Sequence, residues 1–139
     1  MNKKLIGIAA LSLIIVLFVG YYIGNKPTKT TVGTAALKVS AETLLQAYNE
    51  NEEQANEKYL DKVIEVKGKV QEVMKQDNTY MLMVGSEASE GSVSCTLEAN
   101  EESVAYGLTE GDEITIRGLC TGFLLDVVLI DCVLIKNSQ

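Results

Sequence analysis

The pattern of apolar and polar positions changes character along the chain. From Leu5 to Ile23 it is continuously apolar and uncharged, with only Ser12 and the hydroxyls of Tyr21 and Tyr22 as polar groups. As a helix this stretch would span roughly 28 Å, close to the thickness of a bilayer's hydrocarbon core. Positions 24–39, "GNKPTKTTVGTAALKV", hold the only proline, show little periodicity and read as a flexible tether. At Ser40 a helical period begins. Ser40 is a suitable N-cap and Glu42 places a negative charge in the first turn. Leu44, Tyr48, Ala55 and Tyr59 then recur on one stripe of an amphipathic helix. Asn51 and Glu52 interrupt that stripe. Either one of them bonds to backbone in the body the helix packs on, or both lie at a wet margin.

After Tyr59 the period drops to two. In "VIEVKGKVQEV", Ile64, Val66, Gly68 and Val70 face one way, and Glu65, Lys67 and Lys69 the other. Gly68 in mid-strand predicts a bend or a close backbone approach. "QDN" predicts a turn, "TYMLMVG" a second strand, "GSEASEGS" a loop and "VSCTL" a third strand. "EANEESVAYGL" predicts a short helix. A turn at Glu110-Gly111-Asp112 then leads into a fourth strand through Ile114, Ile116, Gly118 and Cys120, and "VVLIDCVLI" forms the fifth. Five short strands with a helix between the third and fourth is the element order of an OB-fold barrel. The expected class is therefore mainly β, with 1–23 an N-terminal transmembrane anchor, 24–39 a tether and 40–139 the barrel with its leading helix.

The segments "LLQAYNENEEQANEKYLDKVIEVKGKV", "GDEITIRGLCTGF" and "DVVLIDCVLI" resemble the bacterial OB-fold proteins grouped as tRNA_anti-like. Tyr48, Asn51, Tyr59, Gly68, Gly111, Asp112, Gly118, Cys120, Asp126 and Cys132 are among the positions that carry the likeness, which runs over about residues 41–135. The resemblance implies the fold. It brings no catalytic residues with it, and its name is borrowed from a nucleic-acid-binding domain.

Charge bears on the partner. Lys3, Lys4, Lys26, Lys29 and Lys38 precede residue 39 with no acid among them, so seven basic residues and all 19 acids follow, a net of −12. Such a surface repels phosphate backbones. The chain has no histidine, the commonest general base and a common metal ligand. Three scattered cysteines without a C-x-x-C spacing suit neither zinc nor a thioredoxin-like pair. No metal, cofactor or catalytic constellation is expected. Cys95, Cys120 and Cys132 fall on apolar strand faces, with Val93, Leu97, Ile116, Val128, Ile130 and Leu134 as neighbours. A hairpin turning near Phe123 or Leu124 would set Cys132 opposite 114–116, leaving Cys120 roughly 13–20 Å away along the strand. Cys95, on a strand parallel to that of Cys132, is the better-placed partner for a disulfide. The reading adopted is three structural, buried thiols.

The exit of the apolar stretch, "FVGYYIGNK", lacks small residues where a signal-peptide cut needs them, although a more permissive "GTAA" lies at 33–36. An uncleaved single-pass anchor in the cell membrane, with the acidic domain outside the cytoplasm, is the expectation. "TGFLLD" carries Phe123, Leu124 and Leu125 in the loop that borders the ligand face of OB-folds. These three either form a contact surface or fold back as a plug. Tyr80 is the one aromatic on the second and third strands. With Phe123, Leu124 and Leu125 it makes the candidate site for an envelope protein or peptide. Single-stranded nucleic acid is the alternative, and a lone arginine, Arg117, with so few aromatics weighs against it.

Overall fold

The computed structural model describes residues 12, 14–21 and 36–135. The chain divides into two units, Met1–Thr30 and Thr31–Gln139. In the first, residues 12 and 14–21 are helical, and Ile14, Val16, Leu17, Phe18 and Tyr21 are exposed. No helix among the described residues is long and apolar enough to cross a membrane. The expected span Leu5–Ile23 lies in part outside them.

The second unit begins earlier than Ser40. Leu37–Ser40 forms a short strand, β1, running parallel to the next strand and pairing Leu37 with Ile64 and Ser40 with Lys67. The rest of the expected tether, up to residue 35, lies outside the described residues. Ser40 then caps helix α1, Ala41–Glu50, accepting from Thr43 N at 3.1 Å. The helical stripe is not continuous. Asn51 is extended (φ −158°, ψ 98°), and its side chain caps a second helix, α2, Glu52–Tyr59, by accepting from Gln54 N. The polar interruption is therefore a helix break whose partner lies in the following turn. Leu44, Leu45, Tyr48, Ala55 and Tyr59 are buried on the packing side of the two helices.

Five strands close a barrel: β2 (Val63–Gln76), β3 (Thr79–Gly85), β4 (Val93–Leu97), β5 (Glu113–Phe123) and β6 (Val127–Ile135), in the order β2-β3-β4-β6-β5 with β2 pairing β5. A 3-10 turn at Ala99–Glu101 and the one-turn helix α3, Glu102–Ala105, connect β4 to β5. β2 serves both halves, pairing β5 through Val63–Lys69 and β3 through Lys69–Gln76. It turns the corner at Gly68 and at a register shift between Val70 and Glu72. A Cβ on Gly68 would lie 2.7 Å from Val84 Cγ1 and 2.9 Å from Ala41 Cβ, the close approach expected there. The inner surface holds Ile64, Val66, Leu82, Val84, Val93, Ile116, Val127 and Leu129, all fully buried.

The last strand departs from simple alternation. Asp131 sits at φ 50° as an extra residue, so Cys95 pairs Leu129 while Leu97 pairs Cys132, and Leu119 pairs Ile130 while Arg117 pairs Val133. This bulge moves the inward set from Val127 and Leu129 to Cys132. Val128 and Ile130, expected beside Cys132 inside the barrel, are half-buried on its outer side instead.

Candidate binding face

The helices decide which parts of the barrel remain open. Tyr48 on α1 stacks on Phe123 with ring centroids 5.5 Å apart and lies 6.3 Å from the ring of Tyr59 on α2. Leu45 of α1 lies against Gly91, and Leu60, just after α2, lies against Gly122. Together they cover the barrel end at the β5–β6 turn. Phe123, half-buried and packed on the core, thus belongs to the plug. Leu124 and Leu125 do not. They are 83% and 90% exposed. Their turn is held by Asp126, which accepts from the Ser92 hydroxyl at 2.6 Å and from Ser92 N at 3.1 Å. Leu124 N adds a bond to Asp126 O. The expected trio is therefore divided between plug and surface.

Tyr80 is also inside. It is 7% exposed, with Lys75 Nζ 4.9 Å from its ring centroid. Its ring points into the barrel because it shares a face with Leu82 and Val84, so no base could stack on it. The residues that do face outward on β3 are Met81 and Met83, both half-buried. Across the strand pair, Met74 of β2 stands opposite Met81 and Glu72 opposite Met83. On the other side Thr96 and Ser94 of β4 stand opposite Met81 and Met83, and Val128 of β6 opposite Ser94. Ile130 and Leu119, a facing pair, continue the surface round the barrel. The outer face of β3 and β4 is therefore a sulfur-rich apolar strip with two hydroxyls in it. The motif "TYMLMVG" carries the signal for it: both alternating sets, Tyr80-Leu82-Val84 and Met81-Met83, are apolar, as a strand covered on both sides would be.

The cationic side chains beside this face are occupied. Lys67 pairs with Glu113 at 2.6 Å, Lys69 with Glu87 at 2.9 Å and Lys75 with Glu102 at 3.1 Å. Arg117 pairs with the buried carboxylate of Glu65, and Lys38 approaches the same carboxylate at 3.8 Å. Lys62 donates to the carbonyls of Glu57 and Lys58 at the end of α2. The hydrogen bond and charge of Lys69 hold the Glu87 carboxyl below its usual pKa, and Lys67 does the same to Glu113.

Cys95, Cys120 and Cys132 are fully buried free thiols. A hydrogen bond with Cys95, then burial, pushes the Cys132 thiol pKa up. Cys120 Sγ lies 3.5 Å from the Tyr48 hydroxyl. Burial, followed by that contact, raises the phenol's pKa as well. Cys132 faces Gly118, not 114–116, because the hairpin turns at Leu124–Asp126 and Leu134 pairs Ile116. Cys120 is consequently about 7 Å along the strand from that position, nearer than the expected register implied. Among the described residues no three cysteine or carboxylate groups converge in a way that could hold a metal ion.

No curated protein matches the chain. Among solved structures, a lipoprotein from Klebsiella pneumoniae, provisionally described as nucleic-acid-binding, superposes with a TM-score of 0.61 at 14% identity, covering 71% of this chain and 92% of that one. An OBody bound to hen egg-white lysozyme gives 0.48 at 12% identity over 58% of this chain and 88% of its own. A chain of the S. pombe Stn1–Ten1 complex gives 0.44 at 15% identity over 54% and 59%. The first likeness establishes the fold alone. The tRNA_anti-like family profile matches residues 1–134, nearly the whole chain, and the chain belongs to that family.

Proposed function

We propose that this chain is a non-catalytic binding module, tethered to the cell membrane, whose barrel face takes a protein or peptide partner of the cell envelope. The observation that carries the reading is the composition of that face. OB-folds bind ligands across their second and third strands, between the loops that flank them. In this chain those strands are β3 and β4, and they present Met81, Met83, Ser94 and Thr96, with Leu124 and Leu125 exposed at one end. Single-stranded nucleic acid needs a basic groove and aromatic platforms. Lys67, Lys69, Lys75 and Arg117 are each paired with a carboxylate, and Tyr80 is inside. An apolar strip with hydroxyls suits a polypeptide better, since methionines adapt to irregular apolar side chains.

The tether rests on Leu5–Ile23, uncharged throughout and long enough for a bilayer. Ile14, Ile15, Val16, Leu17 and Phe18 are each more than half exposed, a surface that water would disfavour and lipid would not.

The Klebsiella lipoprotein's description makes single-stranded nucleic acid the alternative, and one comparison separates the two. The full chain in detergent is titrated with labelled single-stranded DNA and RNA at low salt, beside photocrosslinking in native membranes from a probe at Ser94. Crosslinks to a discrete envelope protein, lost on Leu124→Ser with Leu125→Ser, are expected, with no saturable anisotropy change. Sub-micromolar, salt-sensitive binding to either nucleic acid would overturn the reading.

A further inference from the structure

From the register of β2 and β3 we infer a site for a soft monovalent cation, copper(I), built from the thioethers of Met74, Met81 and Met83. This goes beyond the partner reading and does not depend on it. Met74 and Met81 are direct cross-strand partners, and Met83 lies two residues beyond Met81 on the same outward face. Opposed side chains of a sheet have Cβ atoms about 5 Å apart, and diagonal neighbours lie about 7–8 Å apart, within reach of long side chains. Methionine has three rotatable bonds and a polarisable sulfur, so three at these positions can converge on one ion above the sheet. All three are half-buried, which shields a bound ion without closing the way in.

The donor set selects the metal class. Thioether sulfur is soft and favours copper(I) over magnesium, calcium or manganese, which take oxygen. The chain has no imidazole to bring zinc or copper(II). Its other soft donors, Cys95, Cys120 and Cys132, are each 0% exposed, so the accessible soft donors among the described residues are the three thioethers. Glu72, opposite Met83 and exposed, places a carboxylate beside the cluster. The charge surplus of the domain draws cations to its surface in any case.

The test uses the full chain in detergent, labelled at the methionine methyl carbons, with silver(I) as the diamagnetic probe and copper(I) in anaerobic competition with a bathocuproine chelator. Three methyl resonances, assigned by single Met→Leu variants, are expected to move together and saturate at one equivalent of silver(I), while that of Met1 stays. Met81→Leu and Met83→Leu nearly conserve volume, so the fold persists, and each should weaken copper(I) by about tenfold or more. Metal uptake with the three methyl signals unmoved would place the ion on the thiols and overturn the inference. So would unchanged copper(I) affinity in the Met81→Leu, Met83→Leu double variant, or shifts that rise without saturating.

Discussion

At the scale of single residues, a tight constraint lies where Gly118 meets Cys132. A Cβ on Gly118 would sit 2.5 Å from Cys132 Sγ and 3.1 Å from the Ile130 carbonyl oxygen, so β5 is glycine there because β6 has turned a thiol into the space. The Asp131 bulge causes that turn: without the extra residue Cys132 would face outward. Gly118→Ala should therefore destabilise the domain by about 1–3 kcal/mol through overpacking. Cys132→Ala alone removes a fully buried sulfur, a loss of about 1 kcal/mol or more. The two changes compensate in space. Urea denaturation of the pair and the double variant should give a total smaller than the sum, by about 0.5 kcal/mol or more. Strict additivity would mean that the carbonyl of Ile130, which cannot move aside, is the whole obstacle.

At the scale of elements, the β5–β6 hairpin divides its apolar residues between fold and surface. Phe123 stacks on Tyr48 and seals the barrel end, whereas Leu124 and Leu125 extend beyond a turn fixed by Asp126 and Ser92. Leu124→Ser with Leu125→Ser should leave stability within about 0.5 kcal/mol, as for other exposed positions. Phe123→Ser should lower it by about 2 kcal/mol or more, because a half-buried ring is lost and a hydroxyl takes its place against the plug. Equal losses in thermal melts would show the three acting as one element. The same hairpin marks the limit of what was legible from the residues. Two-residue alternation located all five barrel strands and Ser40 located the start of α1, since both signals are local. The bulge at Asp131 was not legible, because a positive φ at an aspartate leaves no mark in an apolar run. β1 was hidden too: four residues paired in parallel owe their conformation to β2. For the candidate site, the pattern placed Leu124 and Leu125 in the β5–β6 turn, where both are exposed. It set Tyr80 on the strands without revealing that its side points inward, and so passed over Met81 and Met83.

At the scale of the whole molecule, charge and hydropathy separate the two units. Residues after 38 carry a net of −12, and residues 1–38 carry five lysines and no acid. In the proposed tethered arrangement the acidic domain is repelled by anionic lipid headgroups, so the proposal assigns the holding force to hydrophobic burial. Leu5–Ile23, nineteen residues without a charge, is the segment the proposal assigns to this role. The competing outcome is cleavage at the small residues of 33–36, which would release a domain able to fold, because β1 begins only at Leu37. Intact mass spectrometry of the membrane fraction is expected to find a chain that still contains Leu5–Ile23, extracted by detergent and resistant to carbonate washing. A mature chain starting at Ala36 or Leu37 in the soluble fraction would remove the tether from the proposal. It would leave the barrel and its methionine face as they stand.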